Sequence, residues 1–249
     1  MQGVANRAPR IKFCGITSVA DAELAVANGA WAVGLILWPE SKRACDPGEG
    51  IRISNAVRRK VEVAGVFVNQ SLDEIAALVD MLQLSIVQLH GEEGPAFATE
   101  VRRRTGAKVI KAQSIRLASD VLKVQAFHAI DYHLLDTYRE GQRGGTGETF
   151  DWRMLDRRST DVPLILSGGL TVENVAEGIA AAEPFAVDVA SGTEASPGVK
   201  DPIKMKAFAD AVRATADEPE PAPKVLASEA PKPPAAPAGR RSPVRPRSV

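Results

Sequence analysis

Eight short segments rich in apolar and β-branched residues recur along this chain, and their alternation with helical patterns restricts the fold more than any other feature. They cover residues 11–14, 31–37, 61–68, 85–89, 108–112, 132–136, 162–166 and 185–189. Each is followed by residues spaced as on one face of a helix, for example Leu72, Ile75, Ala76 and Val79. Strands that alternate with helices predict a parallel sheet covered by helices. Eight such units favour an α/β protein in which residues 10–214 close into a single (β/α)8, or TIM, barrel.

A doubly wound open sheet is the alternative arrangement of the same elements. Such a sheet normally carries a glycine-rich nucleotide loop after its first strand. Here Gly15, Ile16 and Thr17 follow, and one glycine is too few to hold a pyrophosphate. The barrel is therefore the favoured fold.

Residue types that favour the start of a helix precede several of the helical segments. Thr17 or Ser18, Ser71 and Thr171 are each placed to accept a hydrogen bond from a first-turn N–H group. Pro47 suits the first turn of a helix, where its missing N–H costs nothing.

Composition sets limits on partners and compartment. The chain of 249 residues has 31 basic and 31 acidic side chains, so it has no bulk attraction to nucleic acid or to an anionic membrane. No apolar stretch is long enough to span a bilayer, and the first ten residues lack the apolar core of a secretory signal. We therefore expect a cytoplasmic protein with reduced thiols, as a monomer or a homodimer. Three histidines and two cysteines without ligand spacing leave a metal site unsupported.

Residues 215–249 differ in composition from the rest of the chain. They hold nine of the 17 prolines and show no helical or alternating apolar period. Such a segment buries too little apolar surface to fold, so we predict a disordered Pro/Ala-rich tail. It is either a docking segment for a partner or nucleic acid, or an extension without a role.

Cys14 ends the first apolar segment and so lies at the carboxyl end of a strand, where barrel enzymes carry out their chemistry. Because side chains alternate along a strand, Lys12 and Cys14 share one face, and Ile11 and Phe13 share the other. One interpretation is a small buried apolar residue, which is the usual environment of a free cysteine. The other is a reactive thiol beside a cationic neighbour.

Other polar residues follow later strands, and in a closed barrel all of them meet at one site. They are Arg43 after the second strand, Gln88 and His90 at the fourth, Asp136 at the sixth, Ser167, Gly168 and Gly169 after the seventh, and Asp188, Ser191 and Gly192 at the eighth. Glycines after the seventh and eighth strands predict a phosphate site there. Without a side chain, the backbone can approach an oxyanion closely and direct its N–H groups toward it.

Two of these side chains suggest further roles. A carboxyl group among apolar neighbours, as at Asp136, resists ionising and can act as a general acid. The planar fork of Arg43 can pair with a substrate carboxylate, although a solvated surface arginine is the simpler interpretation.

The chain resembles the phosphoribosylanthranilate isomerase family across about residues 10–214. The matching motifs are KFCGIT at 12–17, SKR at 41–43, GVFVN at 65–69, VQLHGE at 87–92, LLDT at 134–137, GGTG at 144–147 with FDW at 150–152, LSGGL at 166–170, and VDV at 187–189 with SG at 191–192. Eight motifs in order make the match specific. Ala190 and Thr193 depart from the family pattern and affect the expected phosphate loop.

The resemblance implies an Amadori rearrangement of N-(5-phosphoribosyl)anthranilate in tryptophan biosynthesis, with no cofactor. It implies Asp136 as the general acid that opens the ribose ring and Cys14 as the thiolate base that removes the C2 proton. It implies Arg43 as the partner of the anthranilate carboxylate. The phosphate would bind at Gly168, Gly169, Ser191 and Gly192. From their positions near the strand ends, Lys12, Gln88, His90 and Asp188 are further candidates for contacts with the substrate.

A thiolate base needs a cause, because a free thiol is mostly protonated near neutral pH. Our hypothesis is that Lys12 lowers the pKa of Cys14; the alternative is that Lys12 pairs with Asp188 inside the barrel. Two other functions stay open at this point. One is a different phosphosugar enzyme on the same barrel, and the other is an inactive barrel that acts as a scaffold.

Overall fold

Eight parallel strands close into a barrel in the computed structural model, which describes residues 8–139, 142–143 and 151–216. Strands β1 to β8 are Arg10–Cys14, Ala32–Ile36, Glu62–Phe67, Ile86–Leu89, Lys108–Ile115, Tyr132–Arg139, Leu164–Leu166 and Ala186–Val189. Each strand pairs in parallel with the next. Strand β8 pairs with β1, with Lys12 opposite Asp188, and this pairing closes the ring. The predicted barrel is confirmed.

Helices surround the barrel in the described part of the chain. Helices α1 to α7 are Val19–Ala27, Pro47–Val57, Leu72–Leu82, Pro95–Thr105, Ala118–Lys123, Val175–Ala182 and Pro202–Ala214. After β6, which continues into a short antiparallel pairing with Gln142–Arg143, the 3-10 helix Trp152–Arg157 stands where an α-helix was expected. Its buried residues Trp152 and Leu155 are three apart, which is the period of a 3-10 helix.

Helix ends follow the predicted signals with one exception. Ser18 caps α1 by accepting the N–H of Asp21, and Ser71 forms a reciprocal capping box with Glu74. The Thr171 hydroxyl accepts the N–H of Glu173 at 3.3 Å, but Thr171 does not cap α6, which begins only at Val175. The Asn174 side chain accepts the N–H of Thr171 at 2.8 Å and donates to the Gly169 carbonyl at 2.9 Å, which holds residues 171–174 in a turn before the helix.

Alternation along the strands separates two apolar layers. Ile11 and Phe13 pack outward among the helices. Inside the barrel, small and branched side chains such as Ala32, Ala64 and Leu134 form a second cluster. Lys12 is opposite Ala32 in register and therefore points inward, as predicted, where its side chain is completely buried.

The predicted tail, residues 215–249, lies outside the described residues apart from Thr215 and Ala216. Helix α7 ends at Ala214, the last residue of the predicted barrel domain. None of the helices in the described ranges is long and apolar enough to cross a membrane.

Candidate active site

A cavity opens at the carboxyl ends of the barrel strands, which is where barrel enzymes carry their active sites. Most of the predicted site residues line it, namely Cys14, Arg43, Gln88, His90, Asp136, Gly168, Gly169, Asp188 and Ser191. Lys12 and Gly192 do not reach its surface. An apolar wall that the sequence analysis missed consists of Ile36, Trp38, Val66 and Val68. Side chains alternate along β2, so Ile36 shares the inward face with Gly34. The strand pattern could therefore have predicted that Ile36 faces the cavity.

Cys14 lies above a buried ion pair. The ammonium of Lys12 donates to Oδ1 of Asp188 at 2.7 Å, and Oδ2 of Asp188 accepts from the Ser167 hydroxyl at 3.2 Å. The alternative that Lys12 pairs with Asp188 is therefore confirmed. Burial alone would lower the pKa of Lys12, but Asp188 and the neighbouring Cys14 outweigh burial and raise it.

The environment of the Cys14 thiol acts on its pKa in two directions. Burial raises the pKa, and Lys12 works against burial. Asp188 raises the pKa further, while Lys200 lowers it, and the net result is a value above the ordinary one. The predicted effect of Lys12 has the right direction, but burial outweighs it because Cys14 is only 6% exposed.

A glycine on the neighbouring strand makes room for the thiol. Gly34 is opposite Cys14 in register. A Cβ atom on Gly34 would lie 2.8 Å from Sγ of Cys14 and 3.1 Å from Nζ of Lys12. Close contact between the thiol and the ammonium therefore requires glycine at this position, which the sequence analysis did not single out.

Asp136 is the second buried acid of the cavity, and it faces His90. Its Oδ2 lies 3.5 Å from Nε2 of His90, and the Gln88 amide nitrogen lies 3.1 Å from Nδ1 of the same ring. When that amide donates to Nδ1, the ring proton is on Nε2 and points at the carboxyl group. Gln88 and His90 lie at the carboxyl end of β4, as predicted, whereas Asp136 lies within β6, which continues to Arg139 instead of ending at Asp136.

Two glycine loops meet where the phosphate site was expected. Gly168 and Gly169 have φ angles of 89° and 65°, which a residue with a side chain adopts at a cost. Their N–H groups and that of Ser191 donate to no other backbone group in the described ranges. Gly192 also packs closely, since a Cβ there would lie 2.1 Å from the Leu170 carbonyl oxygen. Its bare backbone lets the two loops touch.

Arg43 lies at the edge of the cavity and is not a solvated surface residue. Its guanidinium binds the Glu194 carboxylate through Nε at 2.8 Å and Nη2 at 2.8 Å. Lys200, whose side chain is fully buried, lies 3.5 Å from the same carboxylate. Burial lowers the pKa of Lys200, and Glu194 counteracts it. The sequence analysis missed both Glu194 and Lys200.

Both cysteines are free thiols. Within the described ranges, no group of three or more His, Cys, Asp and Glu side chains is placed to hold a metal ion. The donors that line the cavity include backbone N–H groups and the Arg43 fork, which suit anionic groups of a ligand.

Comparison with known proteins places this site in a family context. A family model described as N-(5'-phosphoribosyl)anthranilate (PRA) isomerase matches residues 11–211. The N-(5'-phosphoribosyl)anthranilate isomerase of Citrifermentans bemidjiense is 42% identical over 197 residues, which cover 79% of this chain and 93% of the relative. That of Pseudomonas paraeruginosa is 43% identical over 207 residues, which cover 83% of this chain and 96% of the relative.

Solved structures give the same result. The phosphoribosyl anthranilate isomerase of Thermotoga maritima is 39% identical with a TM-score of 0.76, and the match covers 83% of this chain and 99% of that one. A second structure, 38% identical with a TM-score of 0.73 and the same coverage, is a complex with reduced 1-(o-carboxyphenylamino)-1-deoxyribulose 5-phosphate.

Proposed function

This chain belongs to the N-(5'-phosphoribosyl)anthranilate isomerase family, and on that premise we propose that Cys14 and Asp136 are the base and the acid of its reaction. The chain is an isomerase of tryptophan biosynthesis that converts N-(5-phosphoribosyl)anthranilate into 1-(2-carboxyphenylamino)-1-deoxyribulose 5-phosphate. One observation supports this assignment above the others. The thiol and the carboxyl group line the same cavity from two separate strands, β1 and β6.

The acid step opens the ribose ring. The Asp136 carboxyl group donates its proton to the ring oxygen, the bond from that oxygen to C1 breaks, and the nitrogen lone pair forms an imine with C1. His90 lies 3.5 Å from Asp136 and orients the carboxyl group. Proton donation by a placed acid is worth roughly 10²–10⁴ in rate.

The base step removes the proton from C2. The Cys14 thiolate takes this proton, the C2 electrons form the C1–C2 double bond of an enolamine, and the imine nitrogen becomes neutral. The enolamine then becomes the ketone: the C2 hydroxyl loses its proton, its electrons form the C2=O bond, and the C1–C2 double-bond electrons take up a proton at C1. Burial keeps the pKa of Cys14 above its ordinary value, and the positive charge of Lys12 next to the sulfur lowers that pKa, so the thiolate is more abundant than burial alone would allow.

The two ends of the substrate carry negative charge and are held by different parts of the rim. The N–H groups of Gly168, Gly169 and Ser191 bind the phosphate, and the guanidinium of Arg43 binds the anthranilate carboxylate. The aromatic ring packs against the apolar wall of Ile36, Trp38, Val66 and Val68. When the substrate is held at its phosphate and at its carboxylate, its C1 and C2 atoms lie between these two ends, next to the acid Asp136 and the base Cys14.

The enzyme acts on a small phosphosugar, in keeping with the relative solved with a reduced product. We place it in the cytoplasm as a monomer or a homodimer. A relative from Thermotoga maritima is dimeric, and monomers generated from it have been solved, which supports keeping both states in the proposal.

The experiment follows the loss of phosphoribosylanthranilate by fluorescence in Cys14→Ala and Asp136→Asn. We expect kcat to fall roughly 10²–10⁴-fold in each variant. Cys45→Ala and Asp73→Asn change the same residue types outside the cavity and serve as controls. Full activity in Cys14→Ala or Asp136→Asn refutes the assignment.

A further inference from the structure

The guanidinium of Arg43 is held along one edge. Nε and Nη2 donate to the two carboxylate oxygens of Glu194 at 2.8 to 3.0 Å. The side chain of Glu194 is 4% exposed, and that of Arg43 is 16% exposed. Among the described residues, Nη1 of Arg43 has no hydrogen-bond partner. A bidentate contact fixes the plane of the fork, so the remaining donors have a defined direction.

Glu194 is itself held by a short hairpin that follows β8. Its strands, Glu194–Ser196 and Val199–Lys200, pair antiparallel with Glu194 opposite Lys200. The Lys200 ammonium donates to the Ala190 carbonyl at 3.0 Å and lies 3.5 Å from Oε1 of Glu194. Lys204 donates to the backbone carbonyl of Glu194 at 2.9 Å. The carboxylate therefore has a fixed position before any ligand arrives.

The hairpin also rests against the first two loops at the top of the barrel. Gly198 accepts a hydrogen bond from the Thr17 hydroxyl, and a Cβ on Gly198 would lie 3.6 Å from the Lys42 carbonyl. The ion pair lies over Gly15, where a Cβ would be 3.0 Å from Cδ of Arg43. The hairpin and the ion pair thus connect the loops that follow β1, β2 and β8 into one unit beside Cys14.

The charges of this cluster suit an anionic ligand. Arg43 and Glu194 alone form a neutral pair, which attracts a carboxylate weakly. The buried ammonium of Lys200 adds a second positive charge beside Glu194, so these three side chains together carry a net positive charge. A substrate carboxylate on the free edge of Arg43 makes the cluster neutral, which is the favourable state for buried charge.

We propose that Glu194 is a positioning residue that directs Arg43 toward the substrate carboxylate, and that Lys200 keeps the cluster positively charged. This inference rests on the role of Arg43 proposed above. The hairpin thereby selects ligands that carry the carboxylate over analogues that lack it.

The experiment measures the affinity of two probes by calorimetry. One is reduced 1-(o-carboxyphenylamino)-1-deoxyribulose 5-phosphate, and the other is the same molecule without the carboxylate. In Glu194→Gln and Lys200→Met, we expect the first probe to bind about tenfold more weakly, or ~1.4 kcal/mol. The second probe should bind within about twofold of its affinity for the unmodified protein. Glu177→Gln and Lys206→Met, on exposed helix faces, are matched controls.

Arg43→Met separates the possible failures. If it weakens both probes equally, the role of Arg43 is wrong. If it discriminates between them, but Glu194→Gln and Lys200→Met do not, only the positioning inference is wrong. In an Arg43→Met background, Glu194→Gln should add no further discrimination, since the two act through one contact. Should Glu194→Gln fail to fold, Lys200→Met decides the question alone.

Discussion

Gly34→Ala tests whether the position of the Cys14 thiol depends on the bare backbone of the neighbouring strand. A methyl group at Gly34 would lie 2.8 Å from Sγ of Cys14 and 3.1 Å from Nζ of Lys12. The first distance is about 0.7 Å short of the ~3.5 Å at which non-bonded heavy atoms attract one another. The Cβ also lies 3.2 Å from Cα of Cys14, which limits how the backbone can yield. The thiol therefore moves, and its contact with the Lys12 ammonium, which lies against the same Cβ, changes with it.

The displacement has a definite cost. A misplacement of about 1 Å at a reacting group lowers the rate by as much as about 10²-fold, so we expect kcat to fall roughly 10- to 100-fold. KM should change less than about threefold, because the glycine loops and Arg43 are untouched. Overpacking costs about 1–3 kcal/mol, which lowers the Tm of a domain of this size by roughly 2–12 °C.

The assay is steady-state fluorescence well below the Tm of the variant, combined with thermal unfolding. Gly94→Ala is the control for kcat, because a methyl group there would have no atom within 4 Å and the φ of −84° suits any residue. A Gly34→Ala enzyme with unchanged kcat refutes the reasoning that the glycine positions the thiol.

Three further predictions concern titration and the phosphate loop. In Lys12→Met, the midpoint of Cys14 alkylation should shift to higher pH relative to the unmodified protein, since the ammonium lowers the pKa of the thiol; an unchanged midpoint would show that Lys12 has no such effect. Burial lowers the pKa of His133 to about 4, so the unfolded chain binds more protons between pH 6.5 and 4 and stability falls as the pH falls through that window. From pH 7 to pH 5 the loss is about 2 kcal/mol, which urea unfolding should detect, and His133→Gln should not show it. Gly168→Ala places a side chain at a φ of 89°, so KM should rise about tenfold while kcat stays within about threefold; an unchanged KM argues against phosphate binding at this loop.

Local patterns predicted the barrel because each strand and helix is encoded within a few residues. The inward face of β1 followed from alternation, and Lys12 and Cys14 lie on it as expected. The element between β6 and β7 was predicted incorrectly as an α-helix. It is a 3-10 helix, which buries residues three apart, and this sequence pattern resembles that of an α-helix.

The parts of the site that were missed depend on contacts between distant positions. Arg43 and Glu194 are 151 residues apart, and nothing near either residue in sequence indicates the other. Gly34 looks like an ordinary strand glycine until the register with Cys14 is known. The net pKa of Cys14 depends on the depth of burial, which alternation does not give.

The central claim is that Cys14 removes the proton from C2 of the substrate. The most direct measurement is the cleavage of the C2–deuterium bond in substrate labelled at that carbon, followed by deuterium NMR in the unmodified enzyme and in Cys14→Ala. The account predicts that Cys14→Ala cleaves this bond roughly 10²–10⁴-fold more slowly, while Cys45→Ala matches the unmodified enzyme. Cleavage by Cys14→Ala at the unmodified rate would show that another group is the base.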